Sequence, residues 1–375
     1  MGSGHLNILI VENSIGFTGA LRSIMAVTTY LTAHYDIAFT YLIPSGSDNQ
    51  AVLEEAGFNV EKAPFIEIRK HPRTFLYPVR LFQNARLLKG LVKKYRIDLV
   101  HINDLYNLVG IAARKTGLPA PVIYHIRLLG GSYAGRLYKI WQGLLTSYAD
   151  GLVAVSYAVA STWPEGRQDL QVIYDAIPQQ YEELPPAAPG KPFRFIYLAN
   201  YTRGKGQEYA ISALSEAVKT NPDLHITFAG SDFGMEKNRQ FRTELEDMAK
   251  NEGLEDKVSF SGPVKQIKKY FSQFDCLLNF SLSESFSMVN LEAMHLGLPV
   301  ISTDSGGPGE ILEDGKTGIL VPVGNTGAMA GEMTRLAGDS SLWQTIRHQA
   351  FAGTQAHLSL SRSAGELDRF YRSFL

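Results

Sequence analysis

The densest run of chemistry-bearing residues is Ser283-Glu284-Ser285-Phe286-Ser287-Met288-Val289-Asn290-Leu291-Glu292-Ala293. It follows the apolar, strand-like stretch 276–280. The spacing predicts a helix capped by Ser285 or Ser287 and carrying Val289, Glu292, Ala293 and Leu296. Unpaired backbone N–H groups at such a helix start can hold a phosphate. Glu284 falls in the loop ahead of this helix, and Glu292 lies inside it. Alone, the segment is equally well a capped helix with solvent-facing acids.

Three further turns have the same placement. Asn200-Tyr201-Thr202-Arg203-Gly204-Lys205-Gly206 follows a strand-like run and opens a helical one, and Arg203 and Lys205 could neutralise a diphosphate beside Glu284. Ser305-Gly306-Gly307-Pro308-Gly309-Glu310 follows the apolar stretch 299–302, where backbone must approach something closely. Near the start of the chain, Gly16-Phe17-Thr18-Gly19 separates the first strand-like run from the first helical one. Each turn taken singly is weak evidence.

The elements that must position these residues alternate regularly. Strands are expected at 6–11, 37–42, 98–102, 121–125, 151–155 and 170–173, with helices at 18–33, 74–95, 105–115 and 135–149. Proline and glycine then crowd 176–192, a linker signal. Beyond it, strands are expected at 193–199, 224–229, 257–260, 276–280, 299–302 and 318–321. The helices between them are expected at 206–219, 236–251, 265–271, 287–295 and 328–336, and a last amphipathic helix closes the chain from 359. Such alternation implies parallel sheets covered on both faces, whose ligands bind beyond the carboxyl ends of the strands. The length of 375 residues exceeds one hydrophobic core. The domains expected are 1–180, a linker at 181–192, and 193–357, with the C-terminal helix 358–375 able to pack on the first.

Composition narrows the classes. With 36 Lys+Arg against 37 Asp+Glu, no global field points to nucleic acid. The single cysteine, Cys276, excludes an internal disulfide framework and a Cys-rich metal site. No apolar run reaches the roughly 18 residues of a membrane-spanning helix. Met1-Gly2-Ser3-Gly4-His5 reads as an appended tag and not as a targeting signal, so a cytoplasmic protein is expected. The local exception is 62–96, where ten Lys or Arg stand against Glu67 alone. An ordinary solvated helix face is the plain interpretation. Docking onto an anionic acceptor, or peripheral contact with the inner face of an anionic membrane, is the functional one. On that helix Leu76, Val79, Leu81, Leu87, Leu88, Leu91 and Val92 are expected to form the buried stripe.

Taken together, the residues resemble a retaining glycosyltransferase of the "glycosyl transferases group 1" family, family 4-like. The resemblance is strongest from 193 to 336. Its most specific element is Glu-x7-Glu, met by Glu284 and Glu292 with Phe286 between them. Glu-Ala-Met and Gly-x-Pro-Val at 292–300, Ser-Gly-Gly-x-x-Glu at 305–310 and Asp-Gly-x-x-Gly-x-Leu-Val at 314–321 extend it. The resemblance implies an α/β GT-B fold, two doubly wound Rossmann-like domains facing across a cleft. It also implies a hexosyltransferase of cell envelope polysaccharide biosynthesis. The donor would be a nucleotide-diphosphate sugar and the acceptor a glycan, a lipid-linked molecule or a small molecule.

By the same resemblance Glu292 would bind the ribose hydroxyls, Glu284 would face the transferred sugar, and Lys205 would meet the diphosphate. The backbone at Phe286, Ser287 and Met288, with Val289 beside it, would hold that diphosphate, and Val264 would lie against the base. His125, ending Val122-Ile123-Tyr124-His125, resembles the histidine near the reacting sugar, and Gly19, with Gly16, the N-terminal glycine loop. The family's arginine ahead of the lysine is missing, because those positions are Ala199 and Asn200; Arg203 is the one replacement nearby. His101 reads as a structural histidine, and His34, His71, His348 and His357 have no clustered partners. Without an Asp-x-Asp segment after a strand, neither a metal nor another cofactor is indicated. The rival functions are a nucleotide-sugar epimerase or phosphorylase of the same fold, and a catalytically silent sugar-nucleotide binding protein.

Overall fold

The computed structural model describes residues 4–66, 75–132, 135–164, 166–167, 169–178, 183–184 and 188–375. The chain divides into two units, Met1–Pro178 with Ser359–Leu375, and Gln179–Leu358. Of the expected linker, 181–182 and 185–187 lie outside the described residues, as do Glu67, Arg69, Lys70, His71 and Arg73 of the basic stretch.

In the first unit the elements run β1 (Leu6–Val11), α1 (Gly19–His34), β2 (Ile37–Pro44), α2 (Gln50–Glu55), β3 (Asn59–Ala63), α3 (Tyr77–Lys94) and β4 (Leu99–Ile102). They continue through α4 (Val109–Lys115), β5 (Val122–Ile126), α5 (Gly135–Tyr148), β6 (Gly151–Ala154), α6 (Tyr157–Ala160) and β7 (Leu170–Val172). The strands form one parallel sheet ordered β3-β2-β1-β4-β5-β6-β7. Strands such as β1 are apolar on both faces because helices cover both sides, and Ile8, Leu9 and Ile10 are fully buried. The last helix, α14 (Leu360–Arg372), completes this unit. Leu360, Ala364, Leu367, Phe370 and Tyr371 join the core built around β1 and α1.

The second unit comprises β8 (Phe193–Leu198), α7 (Gln207–Ala217), β9 (Leu224–Ala229), α8 (Glu236–Asn251), β10 (Val258–Ser261) and α9 (Ile267–Phe271). Then follow β11 (Cys276–Asn279), α10 (Met288–His295), β12 (Val300–Thr303), α11 (Pro308–Ile311), β13 (Ile319–Val321), α12 (Thr326–Gly338) and α13 (Ser340–His357). Its parallel sheet is ordered β10-β9-β8-β11-β12-β13. Both sheets are thus doubly wound, with their strand order reversing at β1/β4 and at β8/β11. Loops leave such a reversal in opposite directions and open a crevice at the carboxyl ends.

The structure adds α2, β3, α6, α11 and α13 to the expected elements and changes one helix face. The long helix α13 is absent from the sequence reading; it is capped by Asp339, whose carboxylate accepts from Ser341 N and Leu342 N. On α3 the buried residues are Asn84, Ala85, Leu88, Leu91 and Val92, whereas Leu76 and Val79 are exposed. The apolar residues of its first turns therefore face outward together with Phe75 and Phe82.

The placement of α14 sets a test. Leu367→Ala should destabilise the first unit by about 2–5 kcal/mol, the usual cost of truncating a buried leucine. Native-state hydrogen exchange should show faster exchange in β1 and β4 with β8 and β11 unchanged; equal acceleration in both sheets would contradict it.

Candidate active site

The loops after β8 and β11 meet backbone to backbone. Gly206 adopts a left-handed φ of 78°, and a Cβ there would lie 2.0 Å from the Phe280 carbonyl oxygen. Leu282 N donates to the Gly204 carbonyl at 2.9 Å, tying the two loops together. Beneath them the buried Tyr197 hydroxyl accepts from Phe280 N at 2.7 Å and donates to the Lys205 carbonyl at 2.5 Å. Burial pushes the Tyr197 phenol well above its ordinary pKa, so it stays a neutral donor. This fixed backbone delivers the Lys205 ammonium to Glu284, with Nζ 2.7 Å from Oε1. The Ser281 hydroxyl donates to the same carboxylate oxygen at 2.8 Å.

Glu284 is clamped from the other side by the glycine turn after β12. Its N–H donates to the Ser305 carbonyl, and its carbonyl accepts from Gly307 N. A Cβ on Gly307 would come within 2.3 Å of the Phe286 Cα, so glycine is required for this approach.

Ser287 occupies the N-cap of α10, but with φ 79° and no capping hydrogen bond from its side chain. Its hydroxyl instead accepts from Asn279 Nδ2 at 2.9 Å. That corrects the expected serine cap: the left-handed backbone turns the hydroxyl toward β11. Positive partial charge from the helix dipole remains concentrated at this end. Phe286 is buried, Met288 and Val289 are half-buried, and Glu292 is buried inside α10. Val264 is half-buried in the loop after β10.

Arg203 goes elsewhere. Its guanidinium pairs with Glu244 on α8 and stacks 4.9 Å from the Phe241 ring centroid. The structure therefore brings Lys205 to Glu284 and leaves Arg203 on the neighbouring helix. Asn200, at one of the missing arginine's positions, is structural: its Oδ1 accepts from Ser231 N and its carbonyl from Gln207 Nε2.

In the first unit, His125 lies near the end of β5 and is buried. Burial, then the charge of Arg127, then His101 hold its pKa well below the ordinary imidazole value. His101, on the adjacent β4, bonds through Nδ1 to the Tyr371 hydroxyl at 2.7 Å, and burial drives its pKa down to about 3. Gly16 and Gly19 flank the turn from β1 into α1, where Thr18 caps the helix by accepting from Leu21 N. Among the other histidines, His348 Nδ1 lies 3.3 Å from Glu183.

Sequence reasoning missed the polar ladder under the second-unit loops. Asn279 bridges Ser287 and Asn290 through Nδ2, and its Oδ1 shares the one Ser281 hydroxyl proton with Glu284, at 2.7 Å from that hydroxyl oxygen. Asn290 reaches Ser302 at 3.0 Å, and Thr303 bonds the Ser281 carbonyl at 2.6 Å. An asparagine closing an otherwise apolar strand was the available signal.

Comparison with known proteins follows the same division. Residues 18–180 match the family model "Glycosyltransferase Family 4", and residues 182–352 match "Glycosyl transferases group 1". N-acetyl-alpha-D-glucosaminyl L-malate synthase of Bacillus anthracis is 28% identical over 180 residues, 48% of this chain and 45% of that protein. Lipopolysaccharide 1,6-galactosyltransferase of Salmonella typhimurium is 28% identical over 218 residues, 56% of this chain and 57% of its own length. These alignments span about half of the curated relatives. Anabaena HepE, solved in complex with UDP and glucose, superposes with a TM-score of 0.83 at 20% identity, covering 98% of this chain and 100% of that one. The fold is GT-B, and each half of the chain matches a family model of glycosyltransferases, "Glycosyltransferase Family 4" on the first and "Glycosyl transferases group 1" on the second.

Proposed function

We propose that the protein is a retaining, metal-independent glycosyltransferase using a nucleotide-diphosphate sugar. The observation that carries this reading is the Lys205–Glu284 pair at the β8/β11 reversal, beside the start of α10. In the reaction the bond from the anomeric carbon to the diphosphate oxygen breaks and the acceptor oxygen bonds to that carbon. The acceptor proton leaves with the departing diphosphate. Negative charge grows on the leaving group, so preorganised positive groups there accelerate the step. Lys205 and the backbone at 286–288 supply that field, with Val289 beside them, and no cation or other cofactor is required. Arg203 joins only if it leaves Glu244. Glu284 orients the sugar, Glu292 the ribose and Val264 the base; His125 is assigned to the sugar and the Gly16–Gly19 turn to the diphosphate. Because HepE was solved with UDP, a UDP-sugar is the first donor to test.

A second observation bears on the acceptor. Phe75, Leu76, Val79 and Phe82 project from one end of α3, Phe75 with 89% of its surface exposed. Pro78, Val79, Phe82, Gln83 and Arg86 line an open groove there, and Lys93 is exposed farther along the helix. No described helix is long and apolar enough to cross a membrane. Apolar side chains beside cations suit the surface of an anionic bilayer, each cation contributing about 1 kcal/mol. Peripheral attachment at the inner face of the membrane, with a lipid-linked acceptor, is the location this favours over a free glycan or small molecule.

Three outcomes test these assignments. Glu292→Gln should weaken nucleotide binding about tenfold or more in calorimetry, because a charged acceptor of hydroxyl hydrogen bonds is worth about 1.5–3 kcal/mol. Unchanged affinity in the folded variant would remove Glu292 from the donor site. Lys205→Ala should lower kcat more than donor affinity, and EDTA should leave wild-type activity intact. Activity lost with EDTA and restored by Mg or Mn would refute the metal-free mechanism. The chain should cosediment with anionic vesicles at low salt and not at 1 M, where screening shortens to about 3 Å. Phe75→Ser/Phe82→Ser should weaken that binding; no binding to anionic vesicles at low salt would point to a soluble acceptor.

A further inference from the structure

Arg127 follows β5 directly and is buried, an uncommon place for a guanidinium. Its nitrogens meet three different partners. Nε donates to Asn103 Oδ1 at 2.9 Å, Nη1 to Asp175 Oδ1 at 2.5 Å, and Nη2 to His125 Nδ1 at 3.3 Å. The partners are themselves held. Asp175 Oδ1 accepts from the Ser23 hydroxyl at 2.6 Å, and that hydroxyl oxygen accepts from Ala176 N at 3.1 Å. Asn103 donates onward to Glu12. The planar fork is thereby fixed in orientation as well as in place.

A guanidinium has hydrogen-bond donors and no acceptor. At the contact with His125, imidazole Nδ1 must therefore be the bare nitrogen, and the ring proton sits on Nε2. A proton on Nδ1 would face another N–H. His125 Nε2 is buried and meets no partner among the described residues. A buried donor left unused within a protein calls for an explanation, and a ligand oxygen supplies one. His101, with its ring centroid 5.3 Å away, is the neighbouring imidazole on β4.

We propose that Arg127 is a positioning residue: anchored by Asp175 and Asn103, it fixes His125 as the Nε2–H tautomer. The histidine then donates a hydrogen bond to an oxygen of the bound sugar and does not act as a proton-accepting base. The assignment rests on the reading of His125 as the sugar-facing histidine. Its chemical sense is that a base beside a guanidinium would have to carry a second positive charge during turnover, whereas a neutral donor moves no proton.

The test uses the full chain labelled with 15N-histidine, with His125 identified by comparison with His125→Gln. Long-range proton–nitrogen correlations should show wild-type His125 as the Nε2–H tautomer from pH 8 down to pH 5. Arg127→Met/Asp175→Leu removes both members of the buried ion pair together, so neither is left without the other. In it His125 should become a mixture of tautomers and take up a proton at higher pH than in the wild type. Arg127→Lys, which still donates, should retain the tautomer. Should the paired variant fail to fold, Asp175→Asn, which loosens the guanidinium, carries the same readout. In transfer assays the paired variant should lose about tenfold in kcat with little change in donor KM, the effect of one misplaced hydrogen bond strengthened in the transition state. An Nδ1–H tautomer in the wild type, a tautomer unchanged in the variants, or an altered tautomer with unchanged kcat would each overturn the proposal. The first two are decided without turnover, so they stand apart from the transferase reading, which fails separately if no donor sugar is transferred.

Discussion

The close approach of Gly206 to the Phe280 carbonyl governs the geometry of the second unit's site. Any side chain at 206 would push the loop after β8 away from the loop after β11, since the obstacle is backbone and cannot swing aside. With the loops in contact, Tyr197 can span them from below and the Lys205 ammonium reaches Glu284. Gly307 makes the equivalent approach on the far side of Glu284. The Glu284 carboxylate is thus located by three loops, two of them tied together by the Tyr197 hydroxyl.

Buried polarity takes different forms in the loops under the two candidate sites. In the second unit, the ladder from Asn279 through Asn290 to Ser302 is built of neutral groups, which satisfy one another without the cost of burying charge. In the first, a full ion pair, Arg127 with Asp175, is buried beneath the carboxyl end of the sheet. Such pairs bring little net stability, because desolvation offsets their attraction. Orientation of a neighbouring ring is what this one gives in return.

Most of the architecture was legible in the sequence, because short apolar runs alternating with segments of 3.6-residue period imply parallel strands covered by helices on both faces. β3 was not legible: Asn59-Val60-Glu61-Lys62-Ala63 is an edge strand with little buried surface, and polar residues are tolerated there. α13 was hidden by its Ser, Thr, Gln and His content, although Trp343, Ile346, Arg347, Ala350 and Thr354 keep helical spacing. The outward turn of Leu76 and Val79 could not be read from periodicity, which gives the apolar face of a helix but not whether another element covers it. That Lys205 comes beside Glu284 was legible, because both lie in loops that follow a strand and open a helix. The direction taken by Arg203 was not, since a long exposed side chain chooses among partners that are distant in sequence.

The membership of α14 in the first unit bears on the order in which the chain can fold as it is made. Residues Gln179–Leu358 form a continuous segment and hold all of the second unit's strands. The first unit begins synthesis earlier, yet Leu367, Phe370 and Tyr371, which close its core, follow the whole second unit, and Tyr371 is the partner of His101. A nascent chain on the ribosome therefore has a complete second unit before it has a complete first one. The apolar surface along β1 and α1 must wait uncovered until α14, on the far side of the second unit in sequence, emerges.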